Sequence, residues 1–211
     1  MTDKKCLELL EEFGSPLYVF DDKAFVENYN HLSKAFRKEY ENYVLGYSYK
    51  TNYTPHICKL VKSQGGYAEV VSDMELYVAK KIGYENNKII YNGPCKGEMM
   101  EEHILNGGIS NIDNEAETLR VIKLAKRYSD KELKVGLRIN TDIGAGFVSR
   151  FGIETDSKII DRVVAMIKAQ PNLKLVGLHM HVSRARYIEA WQKRIDCLLY
   201  TSPSPRDRTR S

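Results

Sequence analysis

The chain has 211 residues, 43% hydrophobic and 28% charged, with a formal net charge of +4, an ordinary globular composition long enough for one sizeable core. No apolar run approaches the roughly 18 residues of a membrane helix, and the charged opening MTDKKCLELLEEFG lacks the apolar centre of a secretory leader. The last eleven residues carry half of the excess charge, leaving 29 basic against 27 acidic groups in the first 200, a balance that leaves no electrostatic footprint for nucleic acid. The four cysteines, Cys6, Cys58, Cys95 and Cys197, are scattered without a CxxC pair. They read as reduced structural thiols, and the expected location is cytoplasmic.

In chain order, a first amphipathic helix places Phe25, Tyr29, Leu32 and Phe36 on one face. Strand-like runs then recur: YVLGYS from 43, YAEVV from 67, KIIYN from 88, GISNI from 108, LKVGLRIN from 133 and LKLVGLHMHV from 173. The first four intervals are 24, 21, 20 and 25 residues, the last 40. A second helical face holds Val121, Leu124, Ala125 and Tyr128, entered through NEAE, where Asn114 can cap and Glu117 takes the third position of the turn. A third holds Ile160, Val163, Val164 and Ile167.

Short apolar strands alternating with amphipathic helices predict parallel βα units. About six units at this repeat fit an α/β fold of the (βα)8 TIM-barrel type, truncated because a full barrel takes about 250 residues. An open doubly wound sheet is the competing architecture. It calls for a glycine-rich turn after the first strand, and YSYKTNYTP has no glycine; GAGFVSRFG from 144 follows the fifth strand and does not match the dinucleotide pattern.

Barrel chemistry gathers at the C-terminal strand ends. There stand Lys50 after the first strand, Arg138 near the end of the fifth, and His179 and His181 near the end of the sixth. The two histidines fall on one side of their strand, but one strand supplies only two ligands and no further Cys/His cluster accompanies them, so no metal is expected. Lys50 is either an ordinary exposed lysine at a strand–helix junction or a desolvated amine at a barrel mouth. A desolvated amine has a lowered pKa and is nucleophilic enough to form a Schiff base.

The blocks FGSPLYVFD, YSYKTN, GGYAEVVSDMEL, IIYNGPCK, GLRIN, SRFGI and GLHMHVS resemble, in order and approximate spacing, the pyridoxal-phosphate-dependent decarboxylases of the alanine-racemase-like barrel family, over residues 14 to 195. They sit nearest its diaminopimelate decarboxylase branch, with ornithine, arginine and carboxynorspermidine decarboxylases as relatives. The resemblance implies pyridoxal 5'-phosphate as cofactor, Lys50 as the lysine that carries it and His181 as the histidine stacked on its ring. Arg138 would lie near the cofactor and Glu69 at the site floor, where the family commonly has the shorter aspartate. Ser72 and Glu75 fit helix capping as well as cofactor contact. The family usually follows its histidine with a Gly-Ser pair; here Ser183 and Arg184 stand there, and Arg184 could pair with a phosphate by charge.

The implied reaction is decarboxylation of an amino acid, meso-diaminopimelate to L-lysine. A carboxynorspermidine-, arginine- or ornithine-type decarboxylase, a same-fold racemase and a non-catalytic homologue are the alternatives. The implied assembly is a head-to-tail homodimer. The family's phosphate loop, its acid for the pyridine nitrogen and its C-terminal β-domain would all fall beyond position 195. The stretch DCLLYTSPSPRDRTRS resembles a translated sequencing-library adapter. The expected division is therefore residues 1–195 as a partial barrel domain and 196–211 as a non-native tail, the N-terminal fragment being inactive alone.

Overall fold

The computed structural model describes residues 2–146, 149–181, 184 and 187–201. The chain forms two compact units, residues 1–44 and 45–211.

The first unit holds helix α1 (Asp3–Phe13), capped by Thr2, and helix α2 (Asp22–Glu39), capped by Asp21. The predicted apolar face of α2 is present, but within this unit only Tyr29 of that face is buried, beside Ser33. Leu32 and Phe36 remain 46% and 53% exposed, because no described element of the unit covers them. Phe36 instead stacks on Tyr43, ring centroids 4.6 Å apart.

The second unit follows the predicted βα repeat. Its elements are β1 (Gly46–Ser48), α3 (Pro55–Ser63), β2 (Tyr67–Val70), α4 (Asp73–Ile82), β3 (Ile89–Tyr91), α5 (Met99–Leu105), β4 (Ile109–Ile112), α6 (Glu115–Arg127), β5 (Leu133–Asn140), β6 (Ile153–Glu154), α7 (Lys158–Lys168), β7 (Leu173–His179) and α8 (Ile188–Thr201). All strand pairs are parallel, in the order β1-β2-β3-β4-β5, with β7 beside β5. The two-residue β6 pairs only with Ile139 and Asn140 at the end of β5. It accounts for the long last interval of the repeat: one loop and a strand stub are inserted before α7. The fold is thus six consecutive βα-barrel strands, and β1 and β7 each have one pairing partner among the described residues. Helix α8 runs through Cys197 to Thr201 without a break.

The side-chain period of two divides each strand between two layers. Ala68, Val70, Ile89, Tyr91, Val135, Leu137 and Ile139 face the helices and are fully or almost fully buried. They pack with Leu76, Ala79, Ile104, Val121, Leu124, Ile160, Val163 and Ile167. Most of these helix residues lie on the stripes the sequence marked. Burying this much aliphatic surface, at about 25 cal/mol per Å², is what fixes the helices on the outside of the sheet. The opposite face of the sheet is left for other groups.

Candidate active site

Lys50 lies two residues beyond β1, in a turn where the Thr51 hydroxyl donates to Ser48 O (2.7 Å). Tyr49 N still donates to Glu69 O (2.9 Å), so the ladder continues to the turn. Alternation then sends Tyr47 and Tyr49 to the helix layer, as an edge-on ring pair with centroids 6.3 Å apart, and Ser48 and Lys50 to the interior. The helix that must follow starts at once: Asn52 Oδ1 accepts from Thr54 N (3.0 Å) and Pro55 opens α3. A strand that looks buried ends on an ammonium group because its last inward position falls at the rim.

That interior is a cavity of about 650 Å³, within the range of small-molecule sites. Lys50, Glu69, Arg138, His179 and His181 all line it, with Asn92, Asn111 and Phe151. All four residues singled out for the cofactor are therefore brought to one cavity at the C-terminal strand ends. Lys50 is exposed rather than desolvated. Arg184 is exposed, its carbonyl accepting from Arg194 (3.0 Å), and Ser183 lies outside the described residues.

Arg138 is 5% exposed and donates from Nη1 to Asp113 Oδ1 (2.7 Å). Its guanidinium carbon sits 5.0 Å from the Phe151 ring centre. Linked to it through Asp113 N, which donates to Glu117 Oε2 (3.0 Å), is a second buried ion pair that the sequence did not reveal. Lys96 Nζ donates to Glu117 Oε2 and Gly93 O, at 2.7 and 2.8 Å, with no side-chain exposure. Burial pushes the Lys96 ammonium pKa down, against the pull of Glu117. The loop that brings Lys96 in crosses so close to β2 that a Cβ on Gly93 (φ +102°) would lie 2.8 Å from Val71 O. Glycine is required there.

His179 pairs in register with Arg138 across β5 and β7. Its Nδ1 is buried with no hydrogen-bond partner among the described residues. Burial first, then the positive charges of Arg138, His181, Lys50 and Lys96, hold its pKa down at about 3, so its ring is neutral. Glu75 is a capping group rather than a wall of the cavity: Ser72 Oγ accepts from Glu75 N (3.3 Å) and Glu75 Oε2 accepts from Val71 N (2.8 Å). Burial raises the Glu75 pKa. Among the described residues no group of three or more His, Cys, Asp or Glu is placed to hold a metal ion.

Of the polar residues given no place in the site by the sequence, Asn92, Asn111 and Asp113 did carry a signal. Asn92, Asn111 and Asp113 interrupt apolar strand runs at their C-terminal ends, where a hydrophobic core has no use for an amide or a carboxylate.

Comparison with known proteins gives the same picture. Residues 26–199 match the family described as pyridoxal-dependent decarboxylase, pyridoxal binding domain. The diaminopimelate decarboxylase of Methanocaldococcus jannaschii is 32% identical over 193 residues, covering 83% of this chain and 43% of the relative. That of Aquifex aeolicus is 30% identical over 186 residues, with 83% and 43% covered. A crystal structure of the M. jannaschii enzyme with L-lysine superposes with a TM-score of 0.71 at 29% identity, over 84% of this chain and 44% of that one. The arginine decarboxylase of Paramecium bursaria Chlorella virus, at 18% identity, has a TM-score of 0.74 over 95% and 54%, a likeness of fold. The chain spans less than half the length of the curated relatives it matches.

Proposed function

Since the chain belongs to the pyridoxal-dependent decarboxylase family, through its pyridoxal binding domain, we propose that its cavity is the N-terminal share of an amino-acid decarboxylase site, acting on meso-diaminopimelate. One observation carries this: Lys50, Glu69, Arg138 and His181 converge on a single cavity at the strand ends of a chain about 30% identical to diaminopimelate decarboxylases. The donor set suits pyridoxal phosphate. The cavity offers an amine at its mouth, a guanidinium in its wall and the unpartnered Nδ1 of a neutral His179.

When bound, the cofactor supplies the electron sink for the pair left on the α-carbon as carbon dioxide departs. Lys50 Nζ is the covalent holding point and the proton carrier nearest the mouth. Arg138, anchored through one nitrogen to Asp113, keeps its remaining N–H groups for an anionic partner. His181 supplies a flat ring in the wall, and Glu69 a carboxylate acceptor. Glu117 Oε2, which accepts from Lys96, also accepts from Asp113 N (3.0 Å), and so helps fix the residue that anchors Arg138.

Residues 1–195 are, in this reading, the native barrel segment and 196–211 an appended tail; the missing strands and a second copy of the full-length chain complete the site head to tail. No described helix is long and apolar enough to cross a membrane, and a cytoplasmic location belongs to the same proposal.

The test is borohydride reduction of the chain with pyridoxal phosphate, followed by peptide mapping, and carbon dioxide release after adding the C-terminal half of the M. jannaschii relative. Label on Lys50, lost in Lys50→Ala, and release greatest from meso-diaminopimelate are expected. Label spread over other lysines refutes the site, and a higher kcat/KM for arginine, ornithine or carboxynorspermidine refutes the substrate.

A further inference from the structure

Glu69 stands where the family commonly has aspartate, and the extra methylene has a structural counterpart. In the β2–β3 register Glu69 faces Ile90. Its hydrogen-bond partner is not across from it but two residues further along: Asn92 Nδ2 donates to Glu69 Oε1 at 2.7 Å. Two strand residues rise about 6.6 Å, so the acid must lean toward the C-terminal rim to meet that amide. Glutamate covers this offset with one methylene more than aspartate has.

The amide is itself held. Asn111 Nδ2 donates to Asn92 Oδ1 at 2.5 Å, and both asparagines are buried, 3% and 7% exposed. The direction is forced, since an ionised carboxylate only accepts. Asn92 must turn its NH2 to Glu69, which presents its oxygen to Asn111. Asn111 in turn faces Gly136 across β4–β5, and a Cβ built on Gly136 would fall inside the Asn111 side-chain oxygen. The glycine is the recess in which the second amide lies.

We propose that Asn111, seated in the recess left by Gly136, and Asn92 form a hydrogen-bonded relay that positions the Glu69 carboxylate at the rim of the cavity, on the side of Lys50. They are positioning residues, acting through Glu69. The proposal rests on the cavity taking pyridoxal phosphate only for its effect on binding; the geometry of the relay is tested separately.

In the 211-residue chain labelled with ¹³C at glutamate carboxyls, the Glu69 resonance is assigned by its loss in Glu69→Gln. Asn111→Ala and Gly136→Ala, neither of which touches Glu69, should move that resonance in cofactor-free protein. Both should weaken pyridoxal phosphate binding about tenfold, one lost charge-assisted hydrogen bond, and add nothing further in the Glu69→Gln background. Glu69→Asp should behave like the relay variants rather than as a conservative change. Should Asn111→Ala not fold, Asn111→Asp keeps the volume while removing the donor, and is expected to move the same resonance by turning the Asn92 amide around.

An unmoved Glu69 resonance in folded Asn111→Ala or Asn111→Asp overturns the relay, as does weakening that adds to that of Glu69→Gln. A resonance that moves while Glu69→Gln leaves cofactor binding unchanged supports the relay and refutes the place given to Glu69 in the cofactor site.

Discussion

The two faces of the sheet solve opposite problems with the same six strands. On the outer face Ala68, Val70, Ile89, Tyr91, Leu137 and Ile139 meet the helices and hold almost no polar group. On the inner face, one residue away along each strand, stand Glu69, Asn92, Asn111 and Arg138, hydrogen-bonded to each other or to Asp113. An apolar layer tolerates exchange of one aliphatic for another of like volume. A buried polar layer does not, because every donor left without its acceptor costs about 1–3 kcal/mol. Apolar burial is therefore spread over the outer face, and the hydrogen-bonded polar groups are concentrated on the inner one.

The sharpest way to break this contrast is at the rim, where the two layers meet. Lys96→Met removes the cation that Glu117 and Gly93 O enclose, leaving a carboxylate buried without its partner. The expected loss is about 3–5 kcal/mol in denaturant unfolding, the largest of any single change considered. Replacing both members, Lys96→Met with Glu117→Leu, should recover much of it, which a loss of packing alone would not allow.

Next is an outer-face truncation. Leu137 is fully buried, and Leu137→Ala should cost about 3 kcal/mol through lost transfer energy and the cavity left behind. Its neighbour Arg138 faces the other way, so borohydride labelling of Lys50 in the folded fraction should be unchanged. Reduced labelling per folded molecule would show that the two faces are coupled.

The outer face was the legible one. Its six strand runs and two of its helical stripes follow from hydrophobic period alone, and Asn114 caps α6 with Glu117 at 3.0 Å as the NEAE pattern implies. Lys50, Glu69, Arg138 and His181, which line one cavity, were singled out partly by position at strand ends and partly by resemblance. What stayed hidden was mutual geometry. That Asn92 reaches Glu69 across an offset register, or that Lys96 comes back to pair with Glu117, depends on loop paths and strand register that no local pattern encodes. The two-residue β6 was invisible for a simpler reason: it is too short to show a period.

A buried group on the helix side gives a pH-dependent version of the comparison. His103 on α5 has no exposed surface, with Nδ1 3.1 Å from the Asn86 side chain and Nε2 3.3 Å from Ile109 O. Burial outweighs these contacts and lowers its pKa to about 4. The unfolded chain, with an ordinary histidine near 6.5, binds the proton first. Stability present above that value is therefore lost as pH falls through the window from about 6.5 to about 4, by at most about 3 kcal/mol. His103→Gln should flatten the wild-type pH profile of unfolding in that window, and a difference curve without slope there would show that His103 does not titrate as described.

The smallest effect separates capping from catalysis at the β2–α4 junction. Ser72 lies three residues from Glu69, close enough to the cavity for a role in either. Its hydroxyl oxygen accepts from Glu75 N, while the Glu75 carboxylate reaches back to Val71 N, a reciprocal arrangement that satisfies two otherwise orphaned donors at the start of α4. Neither residue lines the cavity wall. Ser72→Ala should then cost about 1 kcal/mol of stability, as helix caps do, and leave both the labelling of Lys50 and the affinity for pyridoxal phosphate unchanged. Ser72→Asp, which caps as well and places a charge at the positive end of the helix, should restore the stability. Were Ser72 instead a ligand of the cofactor phosphate, the aspartate would repel it, and Ser72→Asp would bind more weakly than Ser72→Ala.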